Sequence, residues 1–112
     1  MAVTVVSVTR RDDAGLIELV VEVILENVSR TEDVYYHPLF FSLEDSDGNW
    51  YEALLFAPDP SLTEGALARG ASDRGNVAFD ITDTPAARGF VLTYDPTSLG
   101  SDYEMIQIDL GQ

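Results

Sequence analysis

From Ile17 to Leu25 every odd position is apolar, while the even positions alternate Glu18, Glu22 and Glu26 with Val20 and Ile24. Period-two burial is the mark of a strand with one face in a core. The glutamates also recur every four residues, as on a helix. The run is nevertheless rich in β-branched residues and follows Gly15, which suits a strand better. Leu16–Val28 is therefore read as the central strand of one sheet. Its three glutamates lie on the outer face, solvated or, if covered, partnered by Arg74 or Arg88.

A strand of this kind needs neighbours, and the rest of the chain supplies them in short alternating segments separated by turn residues. Val3–Thr9 comes first. Val3 and Val5 share one face and Val6 and Val8 the other, so a bulge or a change of sheet is expected there. Arg11–Gly15 reads as a turn. Val34–Glu44 reads as one strand with Leu39, Phe41 and Leu43 inward, although Pro38 places its local segment at an edge or ahead of pairing. Asp45-Ser46-Asp47-Gly48-Asn49 is a hairpin signal of the Asp-Gly type, and Trp50–Phe56 returns as the partner strand. Within the irregular stretch 57–74, Ser61-Leu62-Thr63-Glu64 matches a capping box and predicts a short helical turn. Gly75–Ile81, Gly89–Tyr94 and Glu104–Leu110 complete seven strands. The expected fold is all-β: a single immunoglobulin-like antiparallel β-sandwich over residues 1–112.

The solvent side of such a sandwich carries the charge. Twenty acidic residues face six basic ones, all arginine, for a net charge of −14. Apolar residues make up 46% of the chain, which supports a core rather than disorder. The arginines are scattered among carboxylates, so nucleic acid is not an expected partner. Anionic membrane surfaces are disfavoured for the same reason, and no apolar run is long enough for a spanning helix. Absent cysteines exclude disulfides and thiolate sites. Arginine without lysine and abundant aspartate point to a salt-adapted (halophilic) surface. A GC-rich genome, which favours arginine codons, is the plain alternative. Met1-Ala2-Val3 leads straight into a strand pattern and does not look like a signal peptide, which leaves a cytoplasmic protein or a mature domain with an added initiator methionine.

Four stretches in order carry a family resemblance. They are Glu22–Ser29 (EVILENVS), Phe40–Tyr51 (FFSLEDSDGNWY), Gly70–Ile81 (GASDRGNVAFDI) and Leu92–Pro96 (LTYDP). Together they resemble the telokin-like, immunoprotective-extracellular-antigen-like secreted domains of bacteria and archaea. That resemblance implies an immunoglobulin-like domain of unknown function, often the exported part of a lipoprotein, with no catalytic residues to carry over.

Candidate sites are few. Asp45, Asp47, Asn49 and Glu52 are the best oxygen cluster for Ca²⁺, but neither EF-type alignment puts glycine and the bidentate glutamate in place together. Asp and Gly shaping a hairpin is the simpler reading, and no metal or cofactor is expected. His37, the sole histidine, reads as a loop or edge residue. With no G-x-S-x-G and one histidine, no catalytic residues are expected. Asn27-Val28-Ser29 is a glycosylation sequon, with turn-shaping as the alternative role of Asn27. Tyr36, Phe40, Trp50 and Tyr51 crowd one hairpin and are the candidate binding residues, with burial in the core or under a covered face as the competing role. The expected protein is a non-enzymatic, monomeric, extracellular or cell-surface binding module. Its partner would be a protein or cell-envelope component, without membrane insertion of its own. The alternatives are a cytoplasmic β-domain assembling by edge-strand pairing and a Ca²⁺-stabilised adhesion module.

Overall fold

The alternating segment is the middle of a sheet. The computed structural model describes residues 1–29, 31–96 and 105–112. In chain order its strands are β1 (Ala2–Asp13), β2 (Leu16–Glu26), β3 (Val34–Tyr36), β4 (Phe41–Glu44), β5 (Trp50–Glu52), β6 (Gly65–Leu67), β7 (Ser72–Asp80), β8 (Val91–Tyr94) and β9 (Ile106–Asp109). One sheet has the order β1-β2-β7 and a second β5-β4-β8-β9, with β3-β6 as a two-stranded ribbon. All these pairings are antiparallel. The protein is an antiparallel all-β sandwich. No helix among the described residues is long and apolar enough to cross a membrane.

Leu19, Val21, Val23 and Leu25 of β2 are at most 3% exposed. They share one core with Val77, Phe79 and Ile81 from the same sheet and with Phe41, Leu43, Phe90, Leu92 and Tyr94 from the other. Each such side chain contributes roughly 1.5–3 kcal/mol on burial, so this two-sheet contact is the main stabilising term.

The valines of β1 use a bulge. Pairing with β2 shifts register between Val5 and Ser7. The extra residue returns Val8 to the face of Val3 and Val5, all three packed on the core, and leaves Val6 exposed. The β1–β2 turn is tighter than Arg11–Gly15: pairing runs to Asp13↔Leu16, and only Ala14 and Gly15 turn the chain, both at positive φ (51° and 84°). Two successive positive φ angles match the twist of a two-residue hairpin.

The described residues hold nine strands, not seven. Val34–Glu44 is interrupted because Pro38 starts a 3-10 turn over Pro38–Phe40, capped by His37 Nδ1, which accepts from the Leu39 N–H at 3.0 Å. The interruption turns Leu39 outward instead of inward. Trp50–Phe56 keeps strand form only to Glu52. Ala53 then bridges Phe79, and the Leu54 N–H donates to the Ala78 carbonyl at 2.8 Å. The helical turn expected at Ser61–Glu64 is absent. Residues 60–62 instead satisfy the open edge of β7: Asn76 N–H donates to the Pro60 carbonyl (2.8 Å) and Leu62 N–H to the Asn76 carbonyl (2.9 Å). Of the expected Glu104–Leu110 strand, β9 realises Ile106–Asp109, and Glu104 lies outside the described residues.

Two substitutions test this packing. At Gly75 a Cβ would lie 2.6 Å from the Leu62 backbone N and Cα, so Gly75→Ala is expected to cost about 1–3 kcal/mol in urea unfolding. The buried Tyr94 hydroxyl has no hydrogen-bond partner among the described residues, and burial pushes its pKa upward. Tyr94→Phe keeps the ring and removes the orphan, so stability is expected to hold or rise by about 1 kcal/mol.

Candidate functional site

The β4–β5 hairpin is organised by one carboxylate. Asp45 is 6% exposed. Its Oδ1 accepts from the Asp47 and Asn49 N–H groups at 2.9 Å each, and its Oδ2 from Asn49 Nδ2 (2.9 Å) and the Tyr51 hydroxyl (2.8 Å). Since Tyr51 gives its proton to Asp45, the Thr84 hydroxyl is the donor in the 2.6 Å contact between the two. Burial raises the Asp45 pKa, but the bonds from Asn49, Tyr51 and Asp47 outweigh it and hold the group below its ordinary 3.8. Burial, followed by the Asp45 charge, raises the Tyr51 phenol despite the opposing bond from Thr84. The four-oxygen cluster considered for Ca²⁺ does not converge. Asp45 is engaged at both oxygens, and Glu52 pairs with Ser42 at the far end of the hairpin. Among the described residues no group of three acidic or histidine side chains is arranged for a metal.

The four aromatic candidates separate. Tyr36 is buried on β3, its hydroxyl donating to Asp73 Oδ2. Burial first, and then Asp73, push its pKa up to about 12. It lines neither hollow beside Trp50 and takes the core role given above as its alternative. Tyr51 points inward beside Phe90, ring centroids 5.9 Å apart. Phe40 is half-buried among Tyr35, His37 and Tyr94. Trp50 alone of the four is open, at 62% exposure.

Trp50 acquires partners that strand alternation did not foresee. Leu39 and Phe40, pushed out by the 3-10 turn, join Trp50 and Ala53 around a groove of about 370 Å³. Ser42, Glu52 and Asp95 also line it. On the far side of Trp50 lies a hollow of about 450 Å³, lined by Glu52, Asp80, Asp83 and Thr84 among others. Leu55 and Phe56, on the crossover after β5, are 73% and 85% exposed. The clue to all of these was proline: Pro38 before the groove, Pro58 and Pro60 after the crossover.

A family model for a domain of unknown function, DUF4352, matches residues 1–105. The chain belongs to that family. Among solved structures, this DUF4352 domain is similar to the yjhA protein from Bacillus subtilis, with a TM-score of 0.74 and 18% identity over 96% of this chain and 89% of that one. At that identity the likeness bears on the fold alone. No curated protein matches the chain.

Elsewhere in the DUF4352 domain, the sequon asparagine is structural. Asn27 is 1% exposed. Its Nδ2 donates to the Glu32 and Leu67 carbonyls at 2.8 Å each, and its Oδ1 accepts from the Ser29 N–H at 2.9 Å. Its backbone N–H donates to the Ala71 carbonyl (2.9 Å) and its carbonyl accepts from Gly70 N–H (3.0 Å). Both amide protons are used, so the folded domain presents no acceptor nitrogen for a glycan. Of the outer-face glutamates, Glu22 meets Arg74 at 2.8 Å, the pairing expected if that face is partly covered, and this bond lowers its pKa.

Asn27→Asp replaces a double donor by an acceptor facing two carbonyls and is expected to cost about 3 kcal/mol in chemical denaturation. Asp45, with its pKa depressed on folding, stabilises the fold above its ordinary value, and that contribution is lost as pH falls through the folded value below 3.8. Asp45→Asn is therefore expected to melt lower than wild type at neutral pH, with the gap closing as pH falls through that folded value.

Proposed function

We propose that this domain is a non-enzymatic exported or cell-surface binding module, monomeric, with an acidic surface adapted to salt. The observation that carries the reading is the apolar exposure around β5. Trp50 walls a groove with Leu39, and Leu55 and Phe56 stand open on the crossover, in a chain otherwise rich in carboxylates. An apolar groove wall of this kind is what a partner would cover. The resemblance of four stretches to telokin-like secreted domains supports export. Salt adaptation is supported by charge: pairing each of the six arginines with one carboxylate leaves fourteen of the twenty over. In molar salt the Debye length falls to about 3 Å and their mutual repulsion is screened.

Edge-strand assembly is the second reading, favoured by β1, which has β2 on one side and no strand on the other among the described residues. The bulge at Val6 and the charges of Arg10–Asp13 blunt that edge, which is why binding around β5 is preferred.

The purified domain is expected to bind isolated cell envelopes of its source organism saturably. Trp50→Ser and Phe56→Ser should abolish binding, while Val28→Ser, at another exposed apolar position, should leave it intact. Binding that does not saturate, or that ignores Trp50, refutes the module. Melting temperature is expected to climb steeply as KCl rises from near zero to molar concentration, with no added gain from Ca²⁺ at matched ionic strength. A flat KCl response would remove salt adaptation.

A further inference from the structure

We propose that the groove beside Trp50 receives a basic, apolar polypeptide segment, in which one arginine or lysine side chain lies over the indole and its apolar neighbours fill the floor. The inference rests on the binding-module reading and adds the chemistry of the occupant.

Three observations converge on it. Apolar walls from Leu39, Phe40, Trp50 and Ala53 call for apolar side chains in a groove of about 370 Å³. The charges beside the indole are all negative. Glu44 is its cross-strand partner, Glu52 follows two residues on along β5 and so shares its face, and Asp80 and Asp83 line the hollow behind it. No arginine lines either hollow. An open indole face flanked by carboxylates favours a cation by both quadrupole and Coulomb attraction. Finally, Ser42 also lines the groove and brings a hydroxyl to it. That hydroxyl can pair with a peptide group of an occupant.

Charge also excludes competing occupants. A second copy of a chain carrying −14, an anionic lipid surface and a nucleic acid would each bring negative charge to a negative rim. A segment of opposite sign is steered in.

Trp50 is the sole tryptophan, so its emission reports the groove directly. The test titrates the folded domain with a capped peptide carrying one arginine between two leucines, and with the same peptide carrying citrulline or glutamate instead. The arginine peptide is expected to change Trp50 emission saturably. The citrulline peptide should bind about threefold to tenfold more weakly, and the glutamate peptide should give no saturable change. Glu52→Gln should cut the advantage of arginine over citrulline about threefold, and Leu39→Ser should weaken both peptides alike. Equal binding of arginine and citrulline peptides, or no saturable change with arginine, overturns the proposal. If Trp50-dependent envelope binding persists in that case, the binding module stands and only its cationic partner is lost.

Discussion

Face-to-face contact between the odd side chains of β2 and the aromatic and leucine side chains of β4 and β8 is the constraint that orders the rest. Val21, Val23 and Leu25 have no measurable exposure, and they reach that state only with Phe41, Leu43, Phe90, Leu92 and Tyr94 opposite. Once β2 is committed to that face, its backbone needs a partner on each side, and β1 and β7 are held in register by it. The β7 edge must then be satisfied in turn, and the chain from Ala53 to Leu62 does so. Gly75 marks the closest point of that approach, where backbone passes backbone with no room for a Cβ.

This chain of needs explains what could be read from sequence. Regular alternation was legible because a β pleat maps directly onto residue order: the inward set of β2, the Val77-Phe79-Ile81 face and the Phe90-Leu92-Tyr94 face all lie where period two puts them. The β1 bulge was legible as a conflict, four valines divided between two faces. What escaped was set by distant backbone groups. Ser61–Glu64 has the local chemistry of a helix start, yet the unpaired edge of β7 draws Ser61 and Leu62 into bridging Asn76. Pro38 was visible as an obstacle to pairing, but its result, a 3-10 turn that everts Leu39, depends on how β3 joins β6 rather than β4's neighbours.

The candidate site shows the same division. Tyr36, Phe40, Trp50 and Tyr51 are close in sequence, and their crowding was readable. Their separation was not, because β3 and β5 belong to different sheets and the Tyr36 and Tyr51 hydroxyls are each drawn to a buried or half-buried aspartate. The Asp45 hairpin was read as turn chemistry, and its four accepted hydrogen bonds are that chemistry in full. The outward surface is thus a by-product of inward bonding: with Tyr36 and Tyr51 tied down, Trp50 and the everted Leu39 are left open on the groove.

Asn27 has a further consequence for how this domain ages. Spontaneous deamidation of an asparagine needs its side chain to swing so that the next backbone nitrogen can attack the amide carbon, with loss of the amide nitrogen as ammonia. Here that nitrogen is clamped between the Glu32 and Leu67 carbonyls, and the oxygen is held by the Ser29 N–H. The reaction must wait for the end of β2 to part from the ends of β6 and β7, a local opening that leaves the two-sheet core intact. Each such event that runs to aspartate plants a carboxylate against two carbonyls and makes the next closure unfavourable. Ammonia loss at this one position is therefore a slow, irreversible counter of how often that corner of the sandwich comes apart.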